Sequence, residues 1–127
     1  MKETPTEVKI ELSGDILLEF DKADLYPEAQ PALQRVLGII KQFPRASISI
    51  DGYTDAKGAD ADNLRLSDRR AAAVKSWLVH NGGVNGKQIK VKGWGKANPV
   101  ASNTHSEGSD NPEGGQKNRR LEITVKK

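Results

Sequence analysis

Asp55 and Arg70 are the two residues whose types and spacing could do chemistry together. Asp55 stands in a polar turn after Ala46-Ser47-Ile48-Ser49-Ile50, which alternates in the strand period, and Arg70 follows in a stretch with helical spacing. On a wheel stepped by about 100° per residue, Arg70 falls inside the stripe of Leu66, Ala73 and Trp77. Asn63 points almost the same way two turns earlier. Leu64, Ala71, Val74 and Leu78 form the adjoining stripe, while Arg65, Asp68, Arg69, Ala72, Lys75 and Ser76 take the wet side. An inward arginine needs an anion, because an unpaired buried guanidinium is costly. Asp55, at the end of the preceding strand, is the nearest candidate. Such a pair supports two chemistries. One is a structural salt bridge that ties loop to helix. The other is a socket for an amino-acid zwitterion, with Asp55 on the ammonium and Arg70 gripping the carboxylate in a bidentate fork. The residue types alone leave both open.

Catalysis finds less support. A hydrolase needs an activated nucleophile or a metal-bound water. The chain has no cysteine, and its two histidines, His80 and His105, lie at a helix end and in a polar loop. They lack the H-E-x-x-H spacing of a zinc site. Ser67 shares the helix of Arg70 with no histidine placed as its base. Asp51, Asp55, Asp60 and Asp62 could offer a glycosidase-like carboxylate pair. A general acid must hold its proton, however, and an adjacent arginine opposes that. The same acids do not follow the D-x-[DN]-x-[DN]-G calcium loop with its distal glutamate. The reading is a binding module and not an enzyme, with no catalytic residue, metal or cofactor.

The elements that must position these residues are those of an α/β domain. Val8, Ile10 and Leu12 alternate with Lys9 and Glu11, Ser13-Gly14-Asp15 turns, and residues 16–20 form a second strand of a hairpin. Residues 21–26, beginning at Asp21, make a polar loop. Pro27 then opens a helix whose apolar stripe is Leu33, Val36, Leu37 and Ile40, closed by Phe43-Pro44. The strand at 48–50 carries Asp51 and Asp55 to the end of the sheet. The second helix begins near residues 60–63 and stops at Asn81-Gly82-Gly83. A short connection with one extra helical turn leads to a strand through Ile89, Val91 and Gly93-Trp94-Gly95, whose glycines allow close backbone approach. Residues 101–118 form a long polar loop. The last strand turns Leu121, Ile123 and Val125 inward, with Arg120, Glu122, Thr124 and Lys126 outward. By the same parity Arg119 points inward, either to join Arg70 or to neutralise Asp51 or Asp55. The expected fold is a mixed sheet with two long helices on one face, in roughly β-β-α-β-α-β-β order. Its domain spans 8–127, after a linker remnant at 1–7.

Composition narrows the function further. A chain of 127 residues suits one domain with a single core. No apolar run approaches the roughly 20 residues that span a bilayer, so this stretch is not read as membrane-embedded. The first residues lack the apolar region of a secretory signal, so work outside the cytoplasm is expected to depend on a segment ahead of them. The net charge is +3, but the 20 basic residues are spread along the chain among 17 acids and aromatics are only 5% of residues, which argues against a nucleic-acid platform.

Thr54-Asp55-Ala56-Lys57-Gly58, followed by Asn63-Leu64-Arg65-Leu66-Ser67-Asp68-Arg69-Arg70-Ala71, resembles the T-D-x-x-G and N-x-x-L-S-x-x-R-A signature of OmpA-like peptidoglycan-binding domains. The resemblance continues through Gly93-Trp94-Gly95, Asn98-Pro99, Asn103 and Asn118-Arg119-Arg120-Leu121, and so covers most of the chain. It implies an OmpA-like, Pal-like or MotB-like domain that binds peptidoglycan non-covalently through diaminopimelate of the peptide stem. Asp55 would take the ammonium and Arg70 the carboxylate. Asn63 would add a hydrogen bond or orient Arg70, and Arg119 would add charge. Thr54 and the backbone of Asp21–Leu25 would close the pocket. The implied location is the periplasm of a Gram-negative-type envelope, in a protein anchored to the outer membrane or another membrane, with a homodimer as a further partner to test. One segment departs from the family pattern. Gly115-Gln116-Lys117 stands where Gly-Arg or Gly-Lys usually precedes Asn-Arg-Arg, after an added stretch at 108–114.

Overall fold

A computed structural model describes residues 2–13, 29–54, 60–96 and 118–127. Among the described residues, five strands form one sheet: β1 (Lys2–Glu3), β2 (Glu7–Ser13), β3 (Ser47–Tyr53), β4 (Ile89–Gly95) and β5 (Arg120–Lys126). Two helices join them, α1 (Gln30–Gln42) and α2 (Asp60–Gly82). The sheet order is β1-β2-β5-β3-β4. The last strand in sequence is therefore central, antiparallel to both β2 and β3, while β3 and β4 run parallel on either side of the α2 crossover. This is the mixed sheet with two long helices that the sequence predicts. The expected hairpin partner at 16–20 lies outside the described residues.

The period of two along the strands sends one set of side chains to the helices. Val8, Ile10, Ile48, Ile50, Ile89, Leu121, Ile123 and Val125 line that face. Leu33, Val36, Leu37 and Ile40 of α1 and Ala71, Val74 and Leu78 of α2 join them in one cluster. Each fully buried Leu, Ile or Val contributes about 1.5–3 kcal/mol, so this cluster is what holds the layers together.

The helix ends follow local chemistry. Within the described residues α1 starts at Gln30 with Pro31 in its first turn, where the fixed φ fits and the missing N–H is not needed. Its end is closed by Phe43 N–H donating to the Ile40 carbonyl at 3.0 Å. After α2, Gly83 takes φ +68° and Val84 N–H donates back to the Leu78 carbonyl at 3.2 Å, the cap expected of Asn-Gly-Gly. The extra turn is a 3-10 helix, Gly86–Gln88, capped by the Asn85 side chain accepting from Lys87 N–H. Residues 2–7, read from the sequence as a polar lead-in, lie along the sheet. Lys127 Nζ reaches Glu3 Oε2 at 2.7 Å and the Thr4 carbonyl at 2.9 Å.

Glycines let α2 lie very low on the sheet. Gly52 and Gly93 are neighbours across the parallel β3–β4 pair. A Cβ at Gly52 would stand 2.5 Å from the Ser67 carbonyl oxygen, and one at Gly93 would stand 2.5 Å from Ser67 Oγ and 2.8 Å from Asp68 Cα. Any side chain at either position would lift the helix that carries Asn63 and Arg70.

Candidate functional site

The inward face of α2 is polar where the helical wheel placed its polar residues. Asn63 is 8% exposed and Arg70 is 6% exposed, so both are buried on the face that packs toward the sheet. Ser67, between them on the same face, is completely buried. Leu64, expected in an apolar stripe, is instead 47% exposed. The close approach of α2 to β4 explains this: the Leu64 backbone nitrogen would lie 3.3 Å from a Cβ at Gly95, so the small Ser67 takes the inward position and Leu64 turns outward.

Thr54 follows β3 directly and is buried. Its N–H donates to the Gly95 carbonyl at 2.7 Å, and Gly95 takes φ +60° at the end of β4. Gly95 N–H in turn donates to Ser67 Oγ at 2.9 Å, and the Ser67 hydroxyl donates to the Leu64 carbonyl at 2.8 Å. Gly95 also packs against the Asn63 and Leu64 backbone. Thr54 and Asn63 are thereby brought to one end of the sheet. Arg119, half-buried, immediately precedes β5 at the same end, where Arg120 pairs with Tyr53. Arg70 shares the helix face of Asn63 two turns further on. Asp55 and Asp21, and the loop at 101–118 up to residue 117, lie outside the described residues.

The other acids are elsewhere. Asp51 is half-buried on the opposite face of the sheet, where its Oδ1 accepts from Trp94 Nε1 at 2.9 Å. Asp60 pairs with Lys96 at 2.9 Å and Asp62 with Arg65, all exposed, and surface pairs of this kind contribute little stability. Among the described residues no group of three or more acids or histidines could hold a metal ion.

That opposite face holds a cluster the sequence reading did not assemble. Arg120, expected outward, is outward with respect to the helices yet only 3% exposed. Its guanidinium lies 3.9 Å from the centre of the Tyr53 ring, with NH1 donating to the Asn118 carbonyl at 3.3 Å and Nε to Glu122 Oε1 at 3.4 Å. Tyr53 stacks on Trp94 with centroids 6.4 Å apart and planes 7° from parallel, and Lys92 Nζ sits 3.9 Å over the Trp94 ring. Trp94 is thus a packed aromatic. Burial, and then the carboxylates of Glu122 and Asp51, push the Tyr53 hydroxyl up to about 12. The shared parity of Tyr53, Glu122 and Arg120 was visible in the sequence; the strand order that makes them neighbours was not.

Residues 17–112 match the OmpA family model. The chain belongs to the OmpA family. It is 42% identical over 125 residues to the photosystem I P700 chlorophyll a apoprotein A2 of Gloeobacter violaceus, covering 98% of this chain and 14% of that protein. It is 42% identical over 112 residues to the peptidoglycan-binding protein ArfA of Mycobacterium tuberculosis, covering 88% of this chain and 32% of that one. The chain therefore spans well under two thirds of these relatives' length. A solved structure, the cell wall anchor of the T6SS from Pseudomonas aeruginosa, superimposes with a TM-score of 0.83 at 26% identity, over 98% of this chain and 85% of that one. The OmpA family is a non-catalytic, cell-wall-anchoring module, and membership makes this a periplasmic domain.

Proposed function

We propose that this OmpA-family domain binds peptidoglycan non-covalently and recognises the zwitterionic end of diaminopimelate in the peptide stem. Asp55 takes the ammonium and Arg70 the carboxylate. Asn63 hydrogen-bonds the ligand or holds Arg70, Arg119 adds positive charge, and Thr54 with the backbone at Asp21 closes the pocket. The observation that carries this reading is the burial of Arg70 and Asn63 on one inward face of α2 in an OmpA-family chain. The peptidoglycan binding of the mycobacterial relative and the cell-wall role of the superimposed anchor support the coarser part of this reading, peptidoglycan as the partner. Most of the affinity comes from desolvated, bidentate contacts to Arg70, since an exposed ion pair would be worth little. A zwitterion can enter between two oppositely charged side chains that otherwise pair with each other, so a structural bridge and a socket are successive states of the same residues.

Sedimentation with diaminopimelate-type sacculi tests this, comparing the parent with Asp55→Ala and Arg70→Ala. The parent is expected to pellet with the sacculi. Each variant should bind at least about 30-fold more weakly, the effect of truncating one partner of a buried charge pair. Circular dichroism and thermal melts establish that the variants are folded. A folded parent that stays in the supernatant at low salt would overturn the proposal and leave a protein-interaction module with a structural salt bridge.

A further inference from the structure

Ser67 occupies the inward position of α2 between the two residues assigned to the socket, one turn from each, and none of its side chain reaches solvent. A buried hydroxyl is unfavourable unless its hydrogen-bonding capacity is used. Here both ends are used: the hydroxyl donates within the helix to the Leu64 carbonyl and accepts the N–H of Gly95 from β4, at 2.8 and 2.9 Å. The carbonyl of Gly95 takes the N–H of Thr54 at 2.7 Å, so one line of bonds runs from helix to edge strand to the end of β3. Asp68 adds a parallel bond, its Oδ1 accepting Gly93 N–H at 2.6 Å. Packing alone does not call for a serine, since alanine would fill the same space beside Gly52 and Gly93. The hydroxyl serves the strand.

We propose that Ser67 is a positioning residue of the peptidoglycan socket. It sets the height and axial register of α2 over β4, and with them the separation of Asn63 and Arg70 from Thr54. The inference rests on the peptidoglycan reading above. Ser67 touches no ligand; it acts through Gly95 on Thr54 and through the helix on its two neighbours. A binding constellation has to be held within about 0.5 Å of its productive geometry by such supporting bonds.

The test compares the parent, Ser67→Ala and Ser67→Cys in binding to diaminopimelate-type sacculi, well below every melting temperature, at low and high salt. Backbone amide exchange is followed by NMR alongside. The alanine variant is expected to bind about tenfold more weakly and to exchange the Gly95 and Thr54 amides faster. Its salt dependence should stay parental, because no charge facing the ligand has been removed. Cysteine, whose larger sulfur is a weaker acceptor and donor in the same place, should recover part of both effects. A merely structural serine would lower the melting temperature and leave the affinity of the folded protein unchanged. Folded Ser67→Ala with parental affinity overturns the positioning role alone, as does weakened binding with parental Gly95 exchange. If alanine prevents folding, the cysteine variant is judged by the same two criteria. A parent that does not bind overturns the peptidoglycan reading, and this role with it.

Discussion

Tyr53 and Arg120 carry the electrostatics of the sheet face away from the helices. A guanidinium 3.9 Å over the ring favours phenolate, but burial and the carboxylates of Glu122 and Asp51 outweigh it, and the hydroxyl rises from 10.0 to about 12. The folded state therefore holds this proton more tightly than the unfolded chain does. That stabilisation is complete below about pH 10 and is lost as pH climbs toward about 12. Thermal melts of the parent and Tyr53→Phe across that interval should draw together as pH rises, because phenylalanine has no proton to lose. Parallel curves would mean that the hydroxyl titrates alike in both states. Near neutral pH the same substitution should cost about 1 kcal/mol, the value of the hydrogen bond between the Tyr53 hydroxyl and Glu122.

The seam between α2 and β4 is the element on which the proposed socket rests, and its glycines can be tested directly. Gly93→Ala would press a methyl group onto the Asp68 backbone, which cannot move without its helix, so a loss of about 1–3 kcal/mol is expected. Gly38, exposed in the middle of α1 with nothing near its missing Cβ, should behave oppositely, alanine there gaining roughly 0.5–1 kcal/mol. Urea unfolding of the two variants against the parent measures both; a neutral Gly93→Ala would mean that the helix is free to lift. The seam also marks where the sequence stops being informative. The stripe of α1, the inward turn of Asn63 and Arg70, and the alternation in β5 are periodic and local, so they could be read from spacing. Ser67 looked unremarkable on the wheel because its role is defined by a strand more than twenty residues later in the chain, as its bond to Gly95 shows. Leu64 was misplaced for the same reason. The cluster of Tyr53, Trp94 and Arg120 needs the order β5-β3-β4, which no single segment encodes.

At the scale of the whole molecule, charge acts at two ranges. The chain carries +3 overall, and peptide stems of the cell wall carry carboxylates, so a diffuse attraction should bring the two together before any socket is filled. That part is screened as the Debye length shrinks from about 10 Å at 0.1 M salt to about 3 Å at 1 M. Contacts to Arg70, buried on the inner face of α2, are screened much less. Binding to sacculi should therefore weaken with salt yet level off above zero, and the residue left at high salt should belong to the socket. Arg70→Lys separates the two ranges. It keeps the net charge and so the same salt sensitivity, but it loses the planar fork and should lower the plateau. Sedimentation isotherms of the parent, Arg70→Lys and Arg70→Ala at both salt concentrations provide the measurement. A parent that releases sacculi completely at 1 M salt, or a lysine variant with an unaltered plateau, would mean that the domain holds the cell wall by diffuse charge and not by recognising a zwitterion.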